Sequence, residues 1–157
     1  MNQTCCPSIV VTRQHHFKTI RRLGDQLLAM LLLPKLNAAS PAEYEYQVKN
    51  LYGRLRDTYE RVVEEVIFRD IVRRGTDVIR TQLLRYVRFP DALAIRFHEG
   101  MTRANTHSHD NPAADTVAVP LPDEFTEHIS ELEALIADLK AESEAAEVDR
   151  PQMKPKK

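Results

Sequence analysis

Tryptophan is absent, glycine occurs only four times and cysteine only twice in these 157 residues. So few glycines supply little of the turn chemistry an all-β chain needs, whereas the good helix formers Leu, Ala, Glu and Arg are abundant. The fold expected is therefore all-α, an antiparallel helical bundle with one polar loop and a disordered C-terminal tail. Cys5 and Cys6 are adjacent and near the start of the chain, and two cysteines supply neither a disulfide framework nor a metal quartet. Long apolar runs are missing too. The longest, Leu27 to Leu33, is stopped by Pro34 and is too short to cross a bilayer, and Met1 to Val11 lacks the charged start and apolar body of a secretory signal. A soluble, cytoplasmic chain without a membrane partner is the expectation. Neither G-x-x-x-x-G-K-[ST] nor G-x-G-x-x-G occurs, so no loop cradles a nucleotide phosphate, and no cofactor and no ATP binding by the chain alone are expected. Nor does any Ser or Cys stand in a recognisable nucleophile setting.

An excess of charge of one sign is also lacking, since the net charge is -1. That balance hides a division, with arginines predominating from Lys49 to Arg103 and acids from Asp123 to Asp149. The two regions are expected to pair with each other, and only an uncompensated basic patch attracts phosphates.

The strongest pattern present is the stretch Ser40–Phe68. Tyr44, Val48, Leu51, Leu55, Tyr59, Val62 and Val66 recur at three- and four-residue intervals, which aligns them on one face of an α-helix. Ser40, Pro41 and Glu43 announce its start as N-cap, first helical residue and capping-box partner. A flanking stripe holds Tyr52, Arg56, Glu60, Val63 and Ile67, and the opposite side, with Gln47, Arg54, Asp57, Arg61, Glu64 and Glu65, reads as solvated. Upstream, Ile9 to Val11 is a short β-prone run, and a helical pattern runs from Phe17 through Leu31 to Pro34. Downstream, Ile71 to Val87 continues a helical pattern across Gly75, which marks a kink or break, and Pro90 ends it. Asp91 to Met101 predicts a short helix burying Leu93, Ala94 and Phe97, Thr102 to Pro120 a polar loop, and Phe125 to Leu139 a further amphipathic helix with acids in its first turn. The organisation expected is an N-terminal segment over 1–39, a helical domain over 40–142 and a disordered tail over 143–157.

Two groups of residues carry chemistry. His107, His109 and Asp110 resemble the His-x-His-x-Asp box of metallo-β-lactamase-like hydrolases, but the carboxylate falls one residue early and no apolar strand precedes it, so no metal site is expected. The other group is Arg56, Glu60 and a loop histidine. A guanidinium can hold a phosphate, and a carboxylate with an imidazole can move protons between a ribose 2′-OH and a leaving 5′-oxygen, which is all that metal-free RNA cleavage requires. By spacing alone, Arg56 and Glu60 also form an ordinary i,i+4 ion pair.

Leu55-Arg56, Glu60, Glu64-Glu65 and Ile67-Phe68, followed by Gly100-Met101 and His109-Asp110, resemble the C-terminal helical region of bacterial RecF/SMC-like ABC-type AAA ATPases of the phage-defence kind. In that family an LRxxxExxxEExLF helix precedes a GM and an HD pair, and here Ile67 replaces the leucine. The resemblance implies a detached or truncated C-terminal domain that acts through protein or nucleic-acid contacts, with an ATPase subunit or a second copy as partner and no ATP site of its own. Ile9-Val-Val-Thr-Arg13 similarly resembles the end of an ATPase core, with Arg13 where the family places a histidine. An Arg-x-x-x-Glu helix with a distal histidine also resembles HEPN-like nucleases. That implies the alternative, a metal-independent endoribonuclease with RNA as substrate, in which Arg56 and Glu60 act with His109 or His107.

Overall fold

The computed structural model describes residues 40–73, 75–109 and 111–153. The expectations for 1–39, including the strand at Ile9 to Val11 and the helix from Phe17, lie outside the described residues, as do Asp110 and 154–157. Among the described residues the fold is all-α, and Val72 and Ile79 form an isolated bridge rather than a strand.

Helix α1 spans Pro41–Val62. Ser40 is extended, and its hydroxyl accepts a hydrogen bond of 3.2 Å from the Glu43 N–H, which satisfies one donor left free at the helix start. The predicted stripe is the buried one: Val48, Leu51, Leu55, Tyr59, Val62 and Val66 are all in the core. The α-helix does not continue to Phe68, however. Val63–Ile67 forms a π-helical turn, closed by a 2.9 Å bond from Phe68 N–H to Val63 O. A π turn takes in an extra residue and so rotates its own and later side chains relative to the α-helical register. Glu65, expected on the solvated side, is thereby turned inward to 9% side-chain exposure, with Arg61 3.3 Å away.

Beyond the π turn, Arg69 and Asp70 both adopt left-handed φ, 53° and 55°, and the chain leaves the helix axis. The helical continuation predicted over Ile71 to Val87 is absent. Ile71 is buried, but Val72, Val78 and Ile79 are exposed, and Gly75 sits at φ 77°. With no neighbouring surface among the described residues to bury Val72, Val78 and Ile79, these β-branched residues and the glycine have no packing energy to hold them helical. Only a 3-10 turn over Thr81–Tyr86 forms.

Helix α2 spans Asp91–His107, longer than the predicted 91–101 because the apolar face continues to Ala104, which is fully buried. The loop therefore begins at Ser108, and His107 is the last helical residue rather than a loop residue. Helix α3 spans Pro122–Asp149. Its start is capped by the Glu124 carboxylate, which accepts from the Leu121 N–H at 2.6 Å. Tyr44 Oη donates to Pro120 O at 2.9 Å, tying the start of α1 to the start of α3. The boundary expected at Glu142 falls inside α3, since Ser143 and Ala146 are buried. The last turns are held from outside. Tyr86 Oη donates to Glu147 at 3.1 Å, and the Arg150 guanidinium donates to the carbonyls of Leu84, Arg85 and Val87 at 3.5, 3.2 and 2.9 Å.

The directions follow from the contacts. Tyr44 and Tyr52 on α1 meet Pro120 and His128, so α1 and α3 run the same way. Helix α2 runs against both, with Arg103 paired to Glu131, Arg96 to Asp138 at 2.6 Å and Arg88 to Asp149 at 2.6 Å. The expected pairing of the basic and acidic regions is this antiparallel ladder.

Candidate functional site

Arg56 and Glu60 lie one turn apart on α1 and form an ion pair of 3.4 Å, with each side chain about a third exposed. His109 approaches the same helix at Gly53. A Cβ built on Gly53 would lie 3.0 Å from both Cε1 and Nδ1 of the imidazole, so the ring rests on the bare backbone. Gly53, Arg56 and Glu60 stand at i, i+3 and i+7 and share one stripe of α1. His109 therefore sits on the stripe that carries the pair.

His107 is directed elsewhere. Its ring packs on Tyr52 with centroids 4.9 Å apart, and burial, followed by the nearby His128, lowers its pKa below the ordinary imidazole value. The two histidines named by the sequence thus separate, one on the Arg56 stripe and one at a junction of all three helices.

Apolar periodicity does not reveal that junction. Tyr52 is fully buried, its hydroxyl is 2.9 Å from His128 Nδ1, and Phe125 meets its ring edge-on at 4.9 Å. Burial raises the Tyr52 pKa and lowers that of His128, so the phenol is protonated and the imidazole is held neutral. A hydrogen bond between a protonated phenol and a neutral imidazole links α1 to α3 without burying a charge. One signal does exist in the sequence: His128 falls three residues after Phe125 and one before Ile129, inside the apolar stripe of α3. No group of three or more His, Cys, Asp and Glu able to hold a metal ion occurs among the described residues.

The arginines from which a phosphate-binding face could be built are largely engaged. Arg88, Arg96 and Arg103 are committed to acids of α3, Arg61 to Glu65 and Arg56 to Glu60. Arg69 and Arg85 lie over the Tyr86 ring at 5.2 and 4.6 Å.

Apolar exposure, by contrast, is concentrated. Of the eleven exposed large apolar residues among those described, six fall between Phe68 and Phe89. Val72, Val78 and Ile79 are each at least 60% exposed, and Val72 faces Ile79 across their bridge. No described helix is long and apolar enough to cross a membrane.

No family model, curated protein or solved structure matches the chain.

Proposed function

We propose that the chain is a helical interaction module that works through protein contacts, using the connection between α1 and α2 as its contact surface. The observation that carries this reading is the cluster of Phe68, Val72, Val78, Ile79 and Leu84, each close to half exposed or more. Single exposed apolar residues are ordinary, but a cluster on one irregular segment is what a binding surface requires. The internal use of the arginines argues in the same direction, because an RNA-binding face needs cations that are not already neutralised. On the resemblance to the C-terminal region of ABC-type ATPases, the partner is an ATPase subunit, and any ATP hydrolysis belongs to that subunit.

A photo-crosslinking residue placed at Val78 tests this in the cells that produce the chain. A covalent protein adduct is expected from Val78 and none from Glu133, an exposed position on α3. Mass analysis of the adduct then distinguishes an ATPase subunit from a second copy of the chain. The absence of a protein adduct at Val78 refutes the reading.

The second reading is a metal-independent HEPN-like endoribonuclease, and the contact of His109 with Gly53 on the Arg56 stripe is what favours it. In that reading Arg56 holds the scissile phosphate, Glu60 orients or deprotonates the 2′-OH, and His109 protonates the leaving oxygen. RNA cleavage would then survive EDTA, leave 2′,3′-cyclic phosphate ends and spare DNA. His109→Ala and Arg56→Ala would each lower the rate by about 10²-fold or more. Equal background on RNA from wild type and His109→Ala removes this alternative.

A further inference from the structure

The connection between α1 and α2 holds most of the exposed apolar side chains, and it also holds two arginines that the helices do not engage. Ion pairs among the described residues take up Arg56, Arg61, Arg88, Arg96 and Arg103. Arg69 and Arg85 lie over Tyr86, and Arg150 donates to three carbonyls. Arg73 and Arg80 take part in none of these contacts. Each directly follows one member of the Val72–Ile79 bridge, and the antiparallel register of that bridge sets Arg73 opposite Val78. Arg73 is exposed and Arg80 half-buried. Asp77 is exposed in the turn between them, while Asp70 is buried, so cations outnumber anions on the accessible part of this surface.

Charge sorts the occupants that such a surface could take. The residues ahead of α1 contain the longest apolar run, Leu27 to Leu33, but over 1–39 the bases Arg13, Lys18, Arg21, Arg22 and Lys35 stand against the single acid Asp25. A second copy docking through the same surface would set Arg73 and Arg80 against their own equivalents. Like charges brought together in this way disfavour both occupants. RNA needs a row of free cations, whereas two guanidinium groups beside Val72, Val78 and Ile79 present mostly apolar area. An anionic lipid surface carries charge everywhere, opposite Asp77 included. A protein segment can set its acids on Arg73 and Arg80 and leave Asp77 to solvent.

Resting on the reading of this connection as the contact surface, we infer that its occupant is a segment of another protein in which Asp or Glu residues flank apolar ones. The apolar side chains of that segment cover Val72, Val78 and Ile79, and its carboxylates meet Arg73 and Arg80 at the edge. Apolar burial supplies the attraction, and the charges select the partner and its orientation.

Photo-crosslinking of the full chain at Val78 in the cells that produce it, with the crosslinked peptide sequenced by mass spectrometry, tests the inference. The peptide is expected to come from another protein and to hold more Asp and Glu than Lys and Arg. Arg73→Glu combined with Arg80→Glu should lower the adduct yield at least about tenfold, whereas Lys at both positions should keep most of it. Asp77→Asn removes the one opposing charge and should raise the yield about twofold or more. Arg73 and Asp77 are exposed, so Arg73→Glu and Asp77→Asn alone should leave the unfolding midpoint unchanged. An adduct within the chain, with a second copy or with nucleic acid overturns the inference. So does sedimentation of the purified chain with phosphatidylserine vesicles in place of a protein adduct. A protein adduct whose yield ignores both the charge reversal and Asp77→Asn overturns this inference alone and leaves the contact surface standing. The absence of any protein adduct at Val78 removes both.

Discussion

Single side chains fall into two kinds here, those that the spacing in sequence announces and those defined only by what meets them. Leu55 is of the first kind: it stands in the middle of the α1 stripe and is 1% exposed. Leu55→Ala should lower the unfolding free energy by about 2–5 kcal/mol, measurable as a shift of the urea midpoint. His107 and His128 are of the second kind, since a histidine scores as polar in any periodicity count and only the approach of Tyr52 from another helix explains its burial. Both are held below the ordinary imidazole pKa, burial being the first cause in each case. The unfolded chain therefore takes up protons before the folded one does. Stability present at neutral pH should be lost as pH falls through about 6.5 toward the lowered folded values, then level off once both states are protonated. His107→Phe keeps a ring on Tyr52 but cannot titrate, and unfolding midpoints taken across that window should show a shallower acid slope. An unchanged slope would mean that other groups control it.

Elements were legible where a stripe had a partner to bury it. Helices α1 and α3 announced themselves by apolar spacing, and Ser40 and the acids of the first turn of α3 marked their starts correctly. Ile71 to Val87 has comparable spacing, but Val72, Val78 and Ile79 find no surface to cover them and no α-helix forms there, because periodicity records amphipathicity and not the presence of a second surface. The candidate pair Arg56 and Glu60 was legible for the same local reason, being one turn apart, whereas the seat of His109 on Gly53 depends on where the loop after α2 returns. The two helical glycines behave differently, and substitution separates them. At Gly100 the neighbour is Tyr59, a core residue that cannot retreat, so Gly100→Ala should destabilise by about 1–3 kcal/mol despite the better helix propensity of alanine. At Gly53 the neighbour is the exposed His109, which can swing away, and Gly53→Ala should stay within about 1 kcal/mol of wild type. Urea titration of both variants checks the contrast, and similar losses at the two positions would refute it.

The molecule as a whole is fastened at its far end by residues beyond the point where the apolar stripe of α3 thins out. Ending the chain after Glu142 removes buried Ser143 and Ala146, the Tyr86–Glu147 and Arg88–Asp149 contacts and all three Arg150 bonds to carbonyls. That truncation should cost about 2 kcal/mol or more, since bonds from a charged donor are among the stronger ones. It should also speed amide exchange at Val87, whose N–H bonds Leu84 O in the segment Arg150 holds. Unaltered exchange there would show that the turn stands without α3. The ladder between α2 and α3 adds less, as largely exposed pairs are worth at most about 1 kcal/mol each, but it fixes the register of the two helices. The passage of Tyr59 beside Gly100 reaches further than energy, into the paths by which such a chain can drift over generations. Every amino-acid replacement at a glycine introduces a Cβ, so a side chain at position 100 carries a penalty for as long as position 59 remains a large aromatic. A lineage that first shrinks residue 59 can alter residue 100 without that penalty. Once residue 100 has gained a side chain, restoring tyrosine at 59 meets the same penalty from the other side, and the order of the two changes biases descent in one direction.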